Sequence, residues 1–237
     1  MLSVGCKRDA GCGPPHPPSR IPHPASRDGW HMSQVELTRQ RLVRAALELF
    51  TAQGYHVTTT PLIAKKAGVA EGTIYRHFAS KQQLLNELYR AAARWGRRLV
   101  KEADALNVGP REKLAELGRS LVAGASREPA VARLFLIQRH GDLLDDESRK
   151  LARDFSLDLE ALVAQAKAEG SVKPGAADIW AAVWLSVVTL AIDRVSARDW
   201  PQTHAGVKLA FAGAWDAIAA PPPAAPSGQA DGGSGGQ

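Results

Sequence analysis

The stretch that decides the fold is Thr60-Pro-Leu-Ile-Ala-Lys-Lys-Ala-Gly-Val-Ala-Glu-Gly-Thr-Ile-Tyr-Arg-His-Phe78. It reads as two short helices joined by a tight turn. Thr60 is placed to cap the first helix, and Pro61 suits its first position, where the amide would lack a partner anyway. Leu62, Ile63 and Ala67 give that helix one apolar face. Gly68 follows where a chain leaving a helix needs positive φ, which glycine adopts at little cost. A second helix is expected over 70–78, with Ile74 and Phe78 one turn apart on its buried side. Ala64, Gly68 and Ile74 meet the demands of a helix-turn-helix in order. They are a small residue at the crossing, a residue free to turn left-handed, and a branched apolar residue facing the core. Turning Ile74 and Phe78 inward leaves Glu71, Gly72, Thr73, Tyr75, Arg76 and His77 outward, a polar, partly basic face that suits a DNA major groove. The plain alternative is an ordinary helical hairpin within a larger core.

The flanks extend the pattern. Ser33 with Glu36 forms a capping-box signature, Leu42, Ala46, Leu49, Phe50 and Gln53 follow helical spacing, and Gly54 closes the helix. This helix completes a three-helix core, with Arg39, Arg41 and Arg44 on its outer surface. One of Thr58, Thr59 and Thr60 caps the next helix or donates to a phosphate. Ser80 and Gln83 make a second capping box, so a long helix is expected over 81–103. Its first amides and Lys81 together form a phosphate site. Leu84, Leu85, Leu88, Ala92 and Trp95 form its inner stripe, while Arg94, Arg97, Arg98 and Lys101 share a solvated face. A rigid helix belonging to both parts of the chain can transmit a shift from one to the other.

The 237 residues suffice for one large or two small domains. The formal charge is +6, and it is uneven: residues 32–90 carry eight Lys/Arg against four Asp/Glu, residues 91–237 eighteen against eighteen. A basic N-terminal module on a neutral body suggests a DNA-binding part and a part with another task. The two cysteines, Cys6 and Cys12, imply no disulfide framework and point to a reducing cytoplasm. With His16 and His23 they match no compact zinc module, so no metal and no cofactor is expected. The N-terminus lacks the apolar core of a signal peptide. The longest apolar run, Ile179 to Ile192, has fourteen residues, short of the ~20 that span a bilayer. It reads as a buried helix, with no membrane partner.

The motif Gly54-Tyr55 … Thr58-Thr59-Thr60 … Ile63-Ala64 … Ala67-Gly68-Val69 … Gly72-Thr73-Ile74-Tyr75-Arg76-His77-Phe78 … Ser80-Lys81 … Leu84-Leu85 resembles the N-terminal domain of the tetracycline-repressor (TetR) family of bacterial transcription regulators. The resemblance covers about residues 36–90, with Pro61 the main departure. It implies an all-α fold: an N-terminal three-helix helix-turn-helix DNA-binding domain plus a helical-bundle domain for ligand binding and dimerisation, paired in an Ω-shaped homodimer. On that reading Arg76 and Tyr75 contact the groove of a double-stranded operator, and Thr73 and Glu71 read base edges. Gly72 belongs to the same face, and Thr60, His77 and Lys81 hold phosphates.

The expected divisions are an arm at 1–31, the DNA-binding domain at 32–80, a helical ligand and dimerisation domain at 81–219, and a tail at 220–237. Arm and tail read as disordered from their Pro, Gly and Ser content; Met32 offers an alternative start. In the body, helices are expected over 110–126, from Pro129 towards His140, from Asp145-Asp146-Glu147-Ser148 to Gly170, from Pro174 to about Ala197, and through Val207 to Ile218. The acidic cluster reads as dipole stabilisation rather than a metal site. In the resembled family the last two helices make the dimer interface, placed here at about 174–219. Candidates for a ligand pocket are Trp95, Phe135, Arg139, His140, Phe155, Trp180 and Trp184, each equally readable as core, with Arg139 or His140 orienting a polar end. The function expected is a dimeric repressor released from a pseudo-palindromic operator by a small apolar or aromatic ligand. A ligand-independent, architectural DNA binder is the alternative. An enzyme is not expected, because no nucleophile–base pair, phosphate-cradling loop or metal signature is legible.

Overall fold

Proline, glycine and capping side chains cut the chain into nine α-helices among residues 33–221, which the computed structural model describes. The expected disordered arm, and the tail beyond 221, lie outside the described residues. The helices are α1 (Gln34–Gln53), α2 (Thr60–Ala67), α3 (Glu71–Ile74), α4 (Lys81–Asp104), α5 (Pro110–Arg127), α6 (Pro129–Ala132), α7 (Asp146–Ala168), α8 (Ala177–Ser196) and α9 (Ala205–Ile218). Among the described residues the only β pairing is one antiparallel bridge between Val172 and Ala219, which ties the end of α9 to the α7–α8 loop.

Helix ends follow local chemistry. Gly54, at φ +92°, closes α1 with its amide on the Phe50 carbonyl at 3.1 Å. Ser80 Oγ caps α4 by accepting from the Gln83 amide at 3.0 Å, while Gln83 Oε1 reaches back one residue past the cap to accept from the Ala79 amide at 2.6 Å, a variant of the expected capping box. Asp145 caps α7 by accepting from the Ser148 amide at 2.8 Å, which accounts for one of the clustered carboxylates.

Two apolar cores form. The first gathers Leu42 and Phe50 of α1, Ile63 of α2, Ile74 of α3, and Phe78 around Leu84, Leu85 and Leu88 of α4. The second begins at Tyr89 on the same helix and runs through α5, α7, α8 and α9. The first two turns of α4 therefore belong to the N-terminal head and the rest to the body. Arg97 joins α4 to α7 through Asp158 at 2.7 Å and Asp154 at 3.0 Å. It leaves the solvated face on which the sequence placed it.

The segment after Pro129 departs from the expected helix. One turn of α6 widens into a π-helical turn at Arg133–Ile137, and the chain is extended at Gln138 (φ −80°, ψ 140°). The wider turn sends successive side chains to different cores. Leu134, fully buried, joins the head core, and Phe135 enters the body core. Gln138 Nε2 then donates to the carbonyls of Phe50 and Thr51, at 3.3 Å each, where α1 ends.

Helix α8 begins at Ala177 rather than Pro174. Gly175 (φ +133°) turns the chain over Trp180, whose indole Nε1 donates to the Pro174 carbonyl at 3.3 Å. A Cβ on Gly175 would lie 2.9 Å from that nitrogen. At 20 residues and a mean hydropathy of 1.5, α8 exceeds the fourteen-residue run and is long and apolar enough to cross a membrane. It packs instead against α5, α7 and α9 through Ala181, Trp184, Val188, Ala191, Ile192 and Val195.

His140 is buried, donates from Nε2 to the Leu134 carbonyl at 2.8 Å, and stands edge-on to Tyr89 at 5.6 Å between ring centroids. Burial pushes its imidazole below the usual 6.5, opposed by the Leu134 hydrogen bond. The folded state therefore takes up this proton later than the unfolded state as pH falls. Its contribution is fully present above pH ~6.5 and declines below it, by at most ~1.4 kcal/mol per pH unit. Urea melts across this range should show a shallower acid loss for His140→Gln than for the wild type; identical slopes would contradict the assignment.

Candidate nucleic-acid interface

The turn between α2 and α3 is held from three sides. Gly68 sits at φ +66°, its amide donates to the Lys65 carbonyl at 3.1 Å, and the Val69 amide donates to the Ala64 carbonyl at 3.0 Å. Arg41 Nη2 of α1 donates to the Gly68 carbonyl at 2.9 Å. Ala64, Ala67 and Ile74 are buried where the two helices meet, as the crossing pattern requires.

Two local expectations need correction. The cap of α2 is Thr59, whose Oγ1 accepts from the Leu62 amide at 3.4 Å, one residue before Thr60. Thr60 lies inside the helix, and its Oγ1 is 3.0 Å from the Tyr75 hydroxyl. Helix α3 is also shorter than 70–78. It ends at Ile74, and single turns continue it, with the amides of His77 and Phe78 on the Ile74 carbonyl at 3.0 and 2.9 Å. Phe78 must reach the core and Ser80 must open α4, so the chain tightens and changes direction there.

The outward face carries the residues read from the sequence. Glu71, Gly72, Tyr75 and Arg76 are exposed, and Thr73 and His77 are half-buried. Tyr75 is 56% exposed despite its size; the Thr60 hydroxyl fixes its tip against the start of α2. Arg76 makes no ion pair among the described residues. Gly72 is informative for what it lacks. Its φ is not positive, and a Cβ there would meet nothing within 4 Å. Neither backbone conformation nor packing within the chain requires glycine at 72.

Several other cations of the head are engaged. Arg39 pairs with Glu87 and lies 5.2 Å above the Phe78 ring. Arg44 pairs with Glu48 at 3.1 Å, as does Lys66 at 3.0 Å. Lys81, expected at a phosphate, donates from Nζ to the carbonyls of Tyr55 at 2.9 Å and Thr58 at 2.8 Å, and sits 4.1 Å above the Tyr55 ring. Burial pushes its ammonium below its usual pKa. It forms a strut beneath the α1–α2 loop, bonding two loop carbonyls that lie outside the helical ladders of α1 and α2.

The seven pocket candidates do not converge. Phe135 and Phe155 pack edge to face at 5.0 Å, and Tyr89, which also meets His140, stands 5.6 Å from Phe135. Gly96 makes room for them, since a Cβ there would be 2.7 Å from the Phe135 ring. Arg139 is exposed, and Trp180 packs on the Pro174 turn. Trp184 borders a depression of about 450 Å³ with Leu114, Phe211 and Trp215. Trp95 lines a different space, a cleft of about 570 Å³ between α1, α4, α5 and α6. The aromatic list thus mixed core with pocket wall. The cleft's other walls, Val43 and Leu47 of α1 and Val131 of α6, were absent from it; Val43 and Leu47 carry no signal beyond a half-apolar helix face.

Comparison with known proteins agrees with this geometry. Residues 42–88 match the family described as bacterial regulatory proteins, tetR family. Matches at 49% and 46% identity, to the regulators SrpR of Pseudomonas putida and TcmR of Streptomyces glaucescens, extend over 53 and 56 residues, so the chain spans only 25% of the length of each. The nucleoid occlusion factor SlmA of Marinobacter nauticus is 32% identical over 148 residues, 60% of this chain and 73% of that protein. The fatty acid metabolism regulator protein of Bacillus subtilis is 28% identical over 147 residues, 61% and 75% of the two chains. In fold, the chain resembles the crystal structure of a TetR family transcription regulator from Marinobacter aquaeolei, with a TM-score of 0.65 at 22% identity, covering 77% of this chain and 96% of that one.

Proposed function

The chain belongs to the tetR family of bacterial regulatory proteins, and on that premise we propose that it is a cytoplasmic, dimeric repressor released from its operator by a small molecule. The observation that carries the DNA-binding part is the exposed face of α3 and the turn after it. Arg76 and Tyr75 are presented to a major groove, Thr73 and Glu71 lie within reach of base edges, and Thr60 and His77 flank them for phosphates. Lys81 acts by fixing the loop that carries Thr58 and Thr59, with its remaining N–H available to a phosphate. The head extends over 32–80 with the first turns of α4, and the body to about 219.

Homodimerisation is supported by an apolar surface on the last two helices. Ile179 and Leu190 of α8 and Leu209 of α9 are 57%, 52% and 74% exposed, beside the exposed small residues Ala182, Ala212 and Gly213. Small residues let helices approach closely, and a two-fold pairing would bury each of these twice. Two heads so linked suit half-sites on successive major grooves, ~34–36 Å apart or a multiple of that. A relative named for fatty acid metabolism favours an apolar effector.

A second reading, a DNA binder that no small molecule releases, is favoured by the likeness to a nucleoid occlusion factor. The two part on whether any ligand changes the affinity for DNA.

Gly72 supplies a test in which stability and function move in opposite directions. Gly72→Leu places a side chain in open space on a helix, so stability should hold or rise by up to ~1 kcal/mol. The same side chain stands between α3 and an approaching duplex. Titration of duplex DNA by fluorescence anisotropy should show binding lost in this variant with its melting temperature kept. Full retention of binding would take α3 out of the interface.

A further inference from the structure

We propose that the cleft between α1, α4, α5 and α6 is the effector site, and that its ligand is an amphipathic anion with an aliphatic or aromatic body ending in a carboxylate or similar group. This rests on the regulator reading for its consequence, but not for its site or its ligand chemistry.

The floor is apolar: Leu47 of α1, Leu88, Ala92 and Trp95 of α4, and Val131 of α6. Its volume of about 570 Å³ is of the size that small-molecule sites take. The rim is not neutral. Arg98 and Arg127 stand on it against one acid, Glu128, and Arg94 and Lys101 continue the positive face along α4. Both arginines are available. The nearest carboxylate to Arg98 is Glu102 at 3.4 Å, with the two side chains 66% and 60% exposed, a pair that contributes little and exchanges partners easily. Arg127 makes only a long bond, 3.4 Å, to the Ala123 carbonyl.

Gly124 indicates that the cleft is built rather than left over. It lies in the last turn of α5 with no positive φ to require it, so glycine there lowers helix propensity without a backbone reason. A Cβ there would be 2.3 Å from Trp95 Cζ2 and 3.2 Å from Cε2. Glycine lets the indole lie directly against α5, which leaves the space on the α1 side open. The ring becomes a flat wall for an apolar body whose charged end reaches the arginines.

The position of the cleft supplies the coupling. One wall, Val43 and Leu47, belongs to α1, which carries the head core. The other walls belong to the body. An occupant sets the distance between α1 and α4 and so biases how the head is held, which a ligand sealed in the body core would not do directly.

The test uses the full chain without DNA, titrated by calorimetry with dodecanoate and with 1-dodecanol, the uncharged analogue. Dodecanoate should bind once per protomer. Arg98→Ala with Arg127→Ala should weaken dodecanoate about tenfold or more, the worth of a charge-assisted bond, while dodecanol changes less than about twofold. Val131→Trp, which fills the cleft, should remove both. Should it melt early, Gly124→Ala, which drives Trp95 off α5 into the cleft, replaces it with the same expected loss. No binding of dodecanoate by the wild type overturns the proposal. So does wild-type binding in the filled variants, or an equal loss of acid and alcohol in the arginine double variant. Arg76→Ala should retain dodecanoate binding, so failure at the cleft and failure of the DNA-binding reading show up in separate measurements.

Discussion

Arg76→Ala is expected to weaken binding to the operator by roughly 30- to 10⁴-fold, from about 1–3 kcal/mol of lost base contact in each of two copies. Arg76 is exposed and makes no ion pair among the described residues, so nothing inside the chain depends on it. Its removal should leave stability within about 0.5 kcal/mol, as for surface substitutions generally. The contrast with Lys81 sharpens the prediction. A lysine bonded to two backbone carbonyls and a ring face is tied to the fold, so its loss would confuse folding with binding. Arg76 separates them. A gel-shift titration beside a thermal melt reads both effects. Unchanged affinity would remove Arg76 from the interface.

Leu209→Asp has the second large effect, on assembly. Leu209 is 74% exposed on α9, so the folded protomer gains little from it. In a two-fold interface the side chain is buried in both copies, and each loses about 1.5–3 kcal/mol of apolar burial. The carboxylate adds a desolvation cost of its own. Sedimentation at micromolar concentration should show a folded monomer. Operator affinity should fall by about 10²–10⁴-fold, the advantage of linking two heads. A variant that remains dimeric would move the interface off α9.

Much of the head was legible because its signals are local. Gly68 at φ +66° and the Ser80–Gln83 cap act over three or four residues, as does the Asp145 cap on Ser148 in the body, within the reach of sequence spacing. What spacing left unread is of two kinds. Thr59 and Thr60 are adjacent alternatives for one cap, and only the register of the turn chooses between them. Lys81, Arg97 and the π-helical turn depend on partners 23 or more residues away. Spacing marks Lys81 as a cation at a helix start but cannot say that the carbonyls of Tyr55 and Thr58 come to meet it. The body shows this most plainly. Phe135, Phe155 and Trp95 look alike in sequence, yet two fill a core around Gly96 and one lines a cleft, a division decided by which helix faces carry Gly96 and Gly124.

The account centres on a paired head reading DNA. Selection of bound duplexes from a random pool by the full chain, followed by footprinting of the winners, tests this most directly. The predicted result is an inverted repeat with half-site centres about 10 base pairs apart or a multiple of that, protected by the wild type and not by Arg76→Ala. Enrichment of no sequence, or of a single unrepeated site protected equally by both proteins, would contradict it.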